Sequence, residues 1–220
     1  MSRKLKDSGI PWIGQVPAKW EIKRFRYVAS EILKGNGIKK DEVVENGDTP
    51  CVRYGEIYTK YNQSFRECSS RTNVSLVPLQ RFASTGDILF AGTGESVEEI
   101  GKNIAYLGDE KILVGGDIVL ARHDQNAGFL SYALNSAYSQ RQKSSGKSKL
   151  KVVHISSDDI KNIVLLVPPL SEQKAIAEFL DGKCAEIDAE TEKCRGMLER
   201  LEEYKKALIF ECVTGKKEVV

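Results

Sequence analysis

The chain has 220 residues, 41% of them hydrophobic and 29% charged, with a formal net charge of +2, the balance of a globular protein holding one large domain or a domain with an appendage. No apolar run reaches the eighteen or so residues that a membrane span needs, and the basic opening MSRKLKDSGIPWIG lacks the apolar middle of a signal peptide. Five cysteines, at 51, 68, 184, 194 and 212, are odd in number, widely spaced and free of any CxxC pair, and there are only two histidines, so neither a disulfide framework nor a zinc site is expected and a reducing cytoplasm fits best.

The first element in chain order is IPWIGQVPAKWEIKRF (10–25), an extended, turn-rich entry segment that reads as pinned by buried Trp12 and Trp20. YVASEILKGNGI (27–38) predicts a short helix stopped by Gly35 and Gly37. TPCVRYGEIYTKY (49–61) is rich in β-branched and aromatic residues and predicts a strand. GDILFAG (86–92), NIAYLG (103–108) and GGDIVLAR (115–122) read as further strands, two of them leaving Gly-Asp turns. In AGFLSYALNSAYSQRQ (127–142) apolar residues at 129, 130, 133, 134, 137 and 138 form a helical stripe. DIKNIVLLVPPL (159–170) ends in a buried strand before Pro168.

From residue 171 a nearly breaker-free segment begins, with Ser171 as its expected N-cap and Leu170 with Ala175 as a hydrophobic staple. Heptads counted from Leu180 place Leu180, Cys184, Ile187, Thr191, Cys194, Leu198, Leu201, Lys205, Leu208 and Cys212 on one seam. Eight of these ten are apolar, the pattern of a coiled coil. At 1.5 Å per residue, residues 171–212 make a rod of roughly 63 Å, against a radius of gyration of about 15 Å for the preceding domain. The helix is expected to project and find a partner; the alternative is that it folds back over its own domain. Residues 1–170 carry a net of +5 and residues 171–212 a net of −4, so the body and the helix are suited to different partners.

No catalytic constellation emerges. FAGTG (90–94) has the form of the methyl-donor loop of amino-methyltransferases, but the Asn/Asp-Pro-Pro-aromatic turn of that chemistry is missing. GKS (146–148) lacks the earlier glycine of a P-loop. His123 and His154 have no neighbouring nucleophile pattern.

Binding features are better represented. SQRQKSSGKSKLKVVH (139–154) carries Arg141, Lys143, Lys147, Lys149 and Lys151 without an acid, as a loop touching phosphates would; a solvated basic loop is the plainer alternative. RYGEIYTKY (53–61) offers Arg53, Tyr58 and Lys60 to base edges, or two tyrosines to the core. GTGESVEEIGKN (92–103) is a glycine-punctuated loop bearing Thr93, Glu95 and Ser96.

IPWIGQVPAKWEIKRF, GDILFAGTGESVEEIGKNIAY and VPPLSEQKAIAEFLD, followed by a long helix ending LIFECVTGK, together resemble the DNA-specificity subunit of type I restriction–modification enzymes, over about residues 8 to 217. The resemblance implies an α+β target-recognition domain with a mixed sheet (1–168), one long conserved coiled-coil helix (169–215) and a short tail (216–220). It implies a subunit without a catalytic centre, metal or cofactor of its own. Modification subunits use S-adenosylmethionine, restriction subunits use ATP, and both are recruited to duplex DNA. The usual subunit has two recognition domains and two helices; this chain has one of each and resembles a half-subunit. A second copy, paired antiparallel through Leu180, Ile187, Cys194, Leu198, Leu201 and Leu208, would restore a two-fold arrangement over inverted half-sites. The alternative is a coiled-coil adaptor that binds modification subunits without reading DNA.

Overall fold

The computed structural model describes residues 3–148 and 152–219, Lys40 by its backbone alone. The chain divides into two compact units, Met1–Ala177 and Glu178–Val220. The first opens with a hairpin of β1 (Leu5–Asp7) and β2 (Gln15–Pro17), then β3 (Glu21–Arg24) and β4 (Ala29–Lys34). β5 (Thr49–Val52) leads into a one-and-a-half-turn helix, α1 (Tyr54–Thr59), and three brief strands, β6 (Ser64–Phe65), β7 (Ser70–Thr72) and β8 (Phe82–Ala83). There follow β9 (Ile88–Ala91), β10 (Thr93–Gly94), β11 (Asn103–Tyr106), β12 (Ile112–Val114) and β13 (Ile118–His123). Helices α2 (Ala127–Asn135) and α3 (Ala137–Ser144), strand β14 (Val153–His154), helix α4 (Ser157–Asn162) and strand β15 (Val164–Val167) complete the body, and α5 (Leu170–Val213) is the long helix.

Two mixed sheets dominate. The larger has the order β4-β13-β9-β11-β6, antiparallel except for the parallel β11–β6 pair. The smaller has the order β7-β5-β12-β8, with β12 and β5 parallel. The α+β class and the long C-terminal helix agree with the sequence reading.

Both faces of the larger sheet are buried, which explains why its strands read as continuous apolar runs. Ile88 and Phe90 on β9, with Val119 and Ala121 on β13, face one cluster that includes Phe129, Leu130 and Leu134 of α2 and Ile160 of α4. The intervening Leu89, Ala91, Ile118 and Leu120 face a second cluster with Val52, Ile57 of α1, Ile112 and Val114. The period of two along each strand assigns the sides.

Several expected elements are corrected. Residues 27–38 contain strand β4 rather than a helix: Ala29–Lys34 pairs antiparallel with β13, and this ladder overrides local helix propensity. Gly35 does not stop a helix; a Cβ there would lie 2.2 Å from the Gly115 carbonyl oxygen, so glycine permits two chain turns to cross. The 49–61 strand ends at Val52 and becomes α1. The 127–142 helix is broken at Ser136, which closes α2 and whose hydroxyl accepts from Ser139 N–H at 3.3 Å to open α3. Residues 157–162 are helical before the expected strand. Trp12 is 63% exposed and Trp20 only half-buried, so neither is a buried pin.

Helix α5 begins at Leu170, and Ser171 lies within its first turn rather than capping it; the Pro169 carbonyl accepts from Glu172 N–H (2.9 Å) and Gln173 N–H (3.0 Å). Gln173 is fully buried. Its Nε2 donates to Gln125 Oε1 (2.7 Å) and the Pro168 carbonyl (2.8 Å), and its Oε1 accepts from Asn126 N–H (3.0 Å). Glu172 accepts from Trp20 Nε1 at 2.7 Å and from the Arg3 guanidinium. The Trp20 hydrogen bond, then Arg3, hold its carboxyl below the usual range. The PPLSEQ stretch is thus a clamp that fixes the first turns of α5 to the body.

Candidate nucleic-acid interface

Helix α1 is too short to be stable by propensity and is held by side chains. Glu56 Oε2 accepts from Arg53 N–H at 2.8 Å, the reach-back of a capping arrangement, and Ser70 Oγ donates to its other oxygen. Ile57 is fully buried against the core. At the far end Lys102 Nζ donates to the carbonyls of Tyr58 (3.4 Å) and Tyr61 (3.0 Å), supplying the terminal acceptors with a cation whose pKa burial pulls down.

The helix forms a ridge between two grooves. One, about 590 Å³, is lined by Tyr54, Tyr58, Thr93, Glu95, Glu99 and Val152. The other, about 560 Å³, is lined by Arg53, Tyr54, Lys60, Ile38 and the Gly116–Asp117 turn. Tyr54, Gly55 and Thr59 belong to both walls. Carboxylates and phenols line both grooves, and the second adds the guanidinium of Arg53 and the ammonium of Lys60.

In the first groove Tyr58 Oη donates to the Glu99 carbonyl at 3.3 Å, and burial, reinforced by the Glu99 charge, pushes the phenol up to about 12, so it stays a donor at neutral pH. Gly94 packs closely there: a Cβ would stand 2.8 Å from Tyr58 Oη, so an added methyl group must displace the phenol. β10 pairs antiparallel with β14, and Thr93 Oγ1 lies 3.2 Å from His154 Nδ1. Glu95 is exposed. Ser96 turns the loop, its hydroxyl accepting from Glu99 N–H at 3.2 Å. In the second groove the Arg53 Nε is buried without a hydrogen-bond partner, and Asp117 occupies the left-handed region at φ 58°.

Five residues singled out from sequence, Arg53, Tyr58, Lys60, Thr93 and Glu95, therefore meet around α1. Tyr54 and Thr59, on the ridge itself, were missed. The signal that could have found them is Arg-Tyr-Gly-Glu, an acid three residues after a cap position.

The basic segment is distributed otherwise. Arg141 is exposed on α3. Lys143 points inward, 1% exposed, with Nζ 2.6 Å from the Gly101 carbonyl, 3.1 Å from Asn103 Oδ1 and 5.6 Å from the Phe90 ring centre. Burial lowers its pKa to about 7. It is not available to a phosphate, which corrects the expectation for this residue. Lys147 is paired with Asp159 at 3.0 Å. Lys149 and Lys151 lie outside the described residues. Among the described residues no group of three or more His, Cys, Asp or Glu could hold a metal ion, and no helix is long and apolar enough to cross a membrane.

On α5, Ile187, Leu198 and Leu201 are exposed, as is Cys194, while Leu180 and Leu208 are partly covered. Met197, Tyr204, Ile209 and Phe210 are exposed beside them, so the apolar content of residues 197–213 is wider than a two-in-seven seam.

Comparison with known proteins gives a consistent picture. The MjaVIII type I restriction enzyme specificity subunit of Methanocaldococcus jannaschii is 28% identical over 219 residues, covering 93% of this chain and 48% of that one. The EcoBI specificity subunit of Escherichia coli is 35% identical over 69 residues, 31% of this chain and 15% of that one. The fold is similar to that of the HsdS subunit from Thermoanaerobacter tengcongensis, with a TM-score of 0.58 at 18% identity over 84% of this chain and 41% of that one. It is also similar to a chain from a type I R-M system structure concerned with complex assembly and conformational transition, with a TM-score of 0.64 at 18% identity over 89% and 46% of the two chains. The chain spans about half the length, or less, of these relatives. The family described as the type I restriction modification DNA specificity domain matches residues 17–195, and this chain belongs to it.

Proposed function

We propose that the chain binds duplex DNA sequence-specifically as the specificity subunit of a type I restriction–modification complex, and that α1 with its two grooves reads base edges. The observation that carries this reading is the convergence of Arg53, Lys60, Tyr58, Thr93 and Glu95, from segments some forty residues apart, on the two flanks of one ridge. A guanidinium can grip guanine in two places, and a carboxylate can accept from the cytosine amino group. The cations of one flank and the acceptors of both suit a ridge seated among base edges of both kinds.

The described residues form one recognition body and one long helix, and a second copy would supply the other half of a bipartite site. Two chains paired antiparallel through Leu180, Ile187, Cys194, Leu198, Leu201 and Leu208 would present two ridges about a two-fold axis, over inverted half-sites with an unread gap. The wider apolar band at residues 197–213 supports a further role in docking modification subunits. Methyl transfer from S-adenosylmethionine and ATP-driven cleavage belong to those partners and the restriction subunit, and this chain contributes recognition alone.

The test is co-expression with modification subunits followed by mapping of methylated adenines. Methylation confined to one bipartite inverted sequence supports the proposal. A complex that assembles but methylates without sequence preference would make the chain a coiled-coil adaptor.

A further inference from the structure

A second feature of the body is a group of arginines gathered around Asn162. The backbone at residues 24–26 is extended and then turns, placing Phe25 wholly in the core and the side chains of Arg24 and Arg26 outside it. Both converge on one amide: Arg26 Nη2 donates to Asn162 Oδ1 at 2.6 Å, and Arg24 Nη1 reaches the same oxygen at 3.5 Å. Asn162 cannot turn away, because its Nδ2 donates to the Asp158 carbonyl of α4 at 2.9 Å. The same asparagine lines a groove of about 440 Å³ together with Arg141, Gln142, Ser145 and the exposed ring of Trp12.

The acids nearby are already engaged. Asp159 is paired with Lys147 at 3.0 Å, Asp158 with Lys161 at 3.2 Å, and Glu21 with Lys23. Among the described residues, Arg24, Arg26 and Arg141 have no carboxylate within ion-pair distance. Three guanidinium groups, two of them oriented by a neutral amide, thus gather around Asn162 without ion pairs of their own, and Asp159, which lines the same groove, is held by Lys147. Such an arrangement suits a polyanion, since guanidinium forks match phosphate oxygens in pairs.

We infer that Arg24, Arg26 and Arg141 form a phosphate-contact patch that grips the DNA backbone outside the base-reading ridge. The inference rests on the DNA-binding reading above and assigns to it residues that do not read sequence. Backbone contacts set affinity and its salt dependence and leave sequence preference untouched.

The experiment measures binding of the full chain to a mixed-sequence duplex over a series of salt concentrations. Each phosphate contact contributes roughly 0.9 to the slope of log affinity against log salt, so Arg26→Gln with Arg141→Gln should lower the slope by nearly two. Arg26→Lys with Arg141→Lys keeps the charge and should retain the slope. Thermal melting of all three proteins establishes that the variants are folded. An unchanged slope in the folded Gln variant overturns the patch and leaves the arginines to an acidic protein partner. If the unmutated chain shows no salt-dependent binding, the DNA-binding reading fails and the patch with it; if it binds and only the Gln variant's slope is unmoved, the patch alone fails.

Discussion

Gln173 Oε1 accepts a hydrogen bond from the backbone N–H of Asn126 at 3.0 Å, tying the first turn of α5 to the entry of α2. The same side chain donates to Gln125 and to the Pro168 carbonyl, so one fully buried amide satisfies three groups at the start of α5. Gln173→Leu should leave those groups unpaired and cost about 1–3 kcal/mol. Thermal melting should show it as a clear drop in midpoint. An unchanged midpoint for Gln173→Leu would remove the clamp from what holds the first turn of α5.

Lys143 makes stability depend on pH in a defined direction. Its folded pKa of about 7 lies below the unfolded value of about 10.4. Between those values the unfolded chain binds the proton and the folded chain does not, so the contribution of this group to stability rises as pH climbs through that window and is flat below it. Urea unfolding of the unmutated chain and of Lys143→Met should show the unmutated chain gaining on the variant from about pH 7 to about pH 10. A difference that stays constant with pH would contradict the buried ammonium. Binding of Lys143→Met to duplex DNA should keep the full salt slope, because this lysine contacts Gly101 and Asn103 rather than phosphate.

The packing of Gly94 against Tyr58 gives a paired expectation. Gly94→Ala puts a methyl group 2.8 Å from Tyr58 Oη, and overpacking of this kind costs about 1–3 kcal/mol. Tyr58→Phe removes the obstructing oxygen. The double variant should therefore be less destabilised than the sum of the two single ones, with a coupling of about 0.5 kcal/mol or more by double-mutant cycle. Strict additivity would mean that the methyl group is accommodated some other way.

The strands of the larger sheet were legible because both faces are buried and their apolar runs are unbroken, and the long helix was legible from its heptads. The elements that build the ridge were not. α1 exists because Glu56, Ser70 and Lys102 hold its ends, and Lys102 comes from a segment some forty residues away. Local composition at 49–61, rich in β-branched and aromatic residues, argued the other way. Lys143 was placed on the surface because its neighbours in sequence are polar and basic; its acceptors, Gly101 and Asn103, are supplied by another strand and loop. Likewise Arg24 and Arg26 acquire a shared direction only through Asn162. Charge runs can be read from sequence, but which charges are already partnered is a tertiary property.

Pairing through α5 has its own test. Leu198→Glu with Leu201→Glu places two carboxylates on the exposed apolar seam. Light scattering should report a dimer for the unmutated chain at micromolar concentration and a monomer for the variant, with the melting of the first unit unchanged. A monomer for the unmutated chain would remove the two-fold arrangement and leave the seam to another partner.

Base reading at the α1 ridge is tested most directly by selecting bound sequences from a randomised duplex, with the unmutated chain and with Arg53→Ala in parallel. The expected result is two inverted half-sites separated by an unread gap for the unmutated chain. For Arg53→Ala one position in each half-site should relax, at a cost of roughly 1–3 kcal/mol in affinity for the original sequence, with an unchanged melting temperature. An Arg53→Ala protein that melts earlier yet selects the same sequence would contradict it, making Arg53 a structural residue and removing its groove from the reading surface.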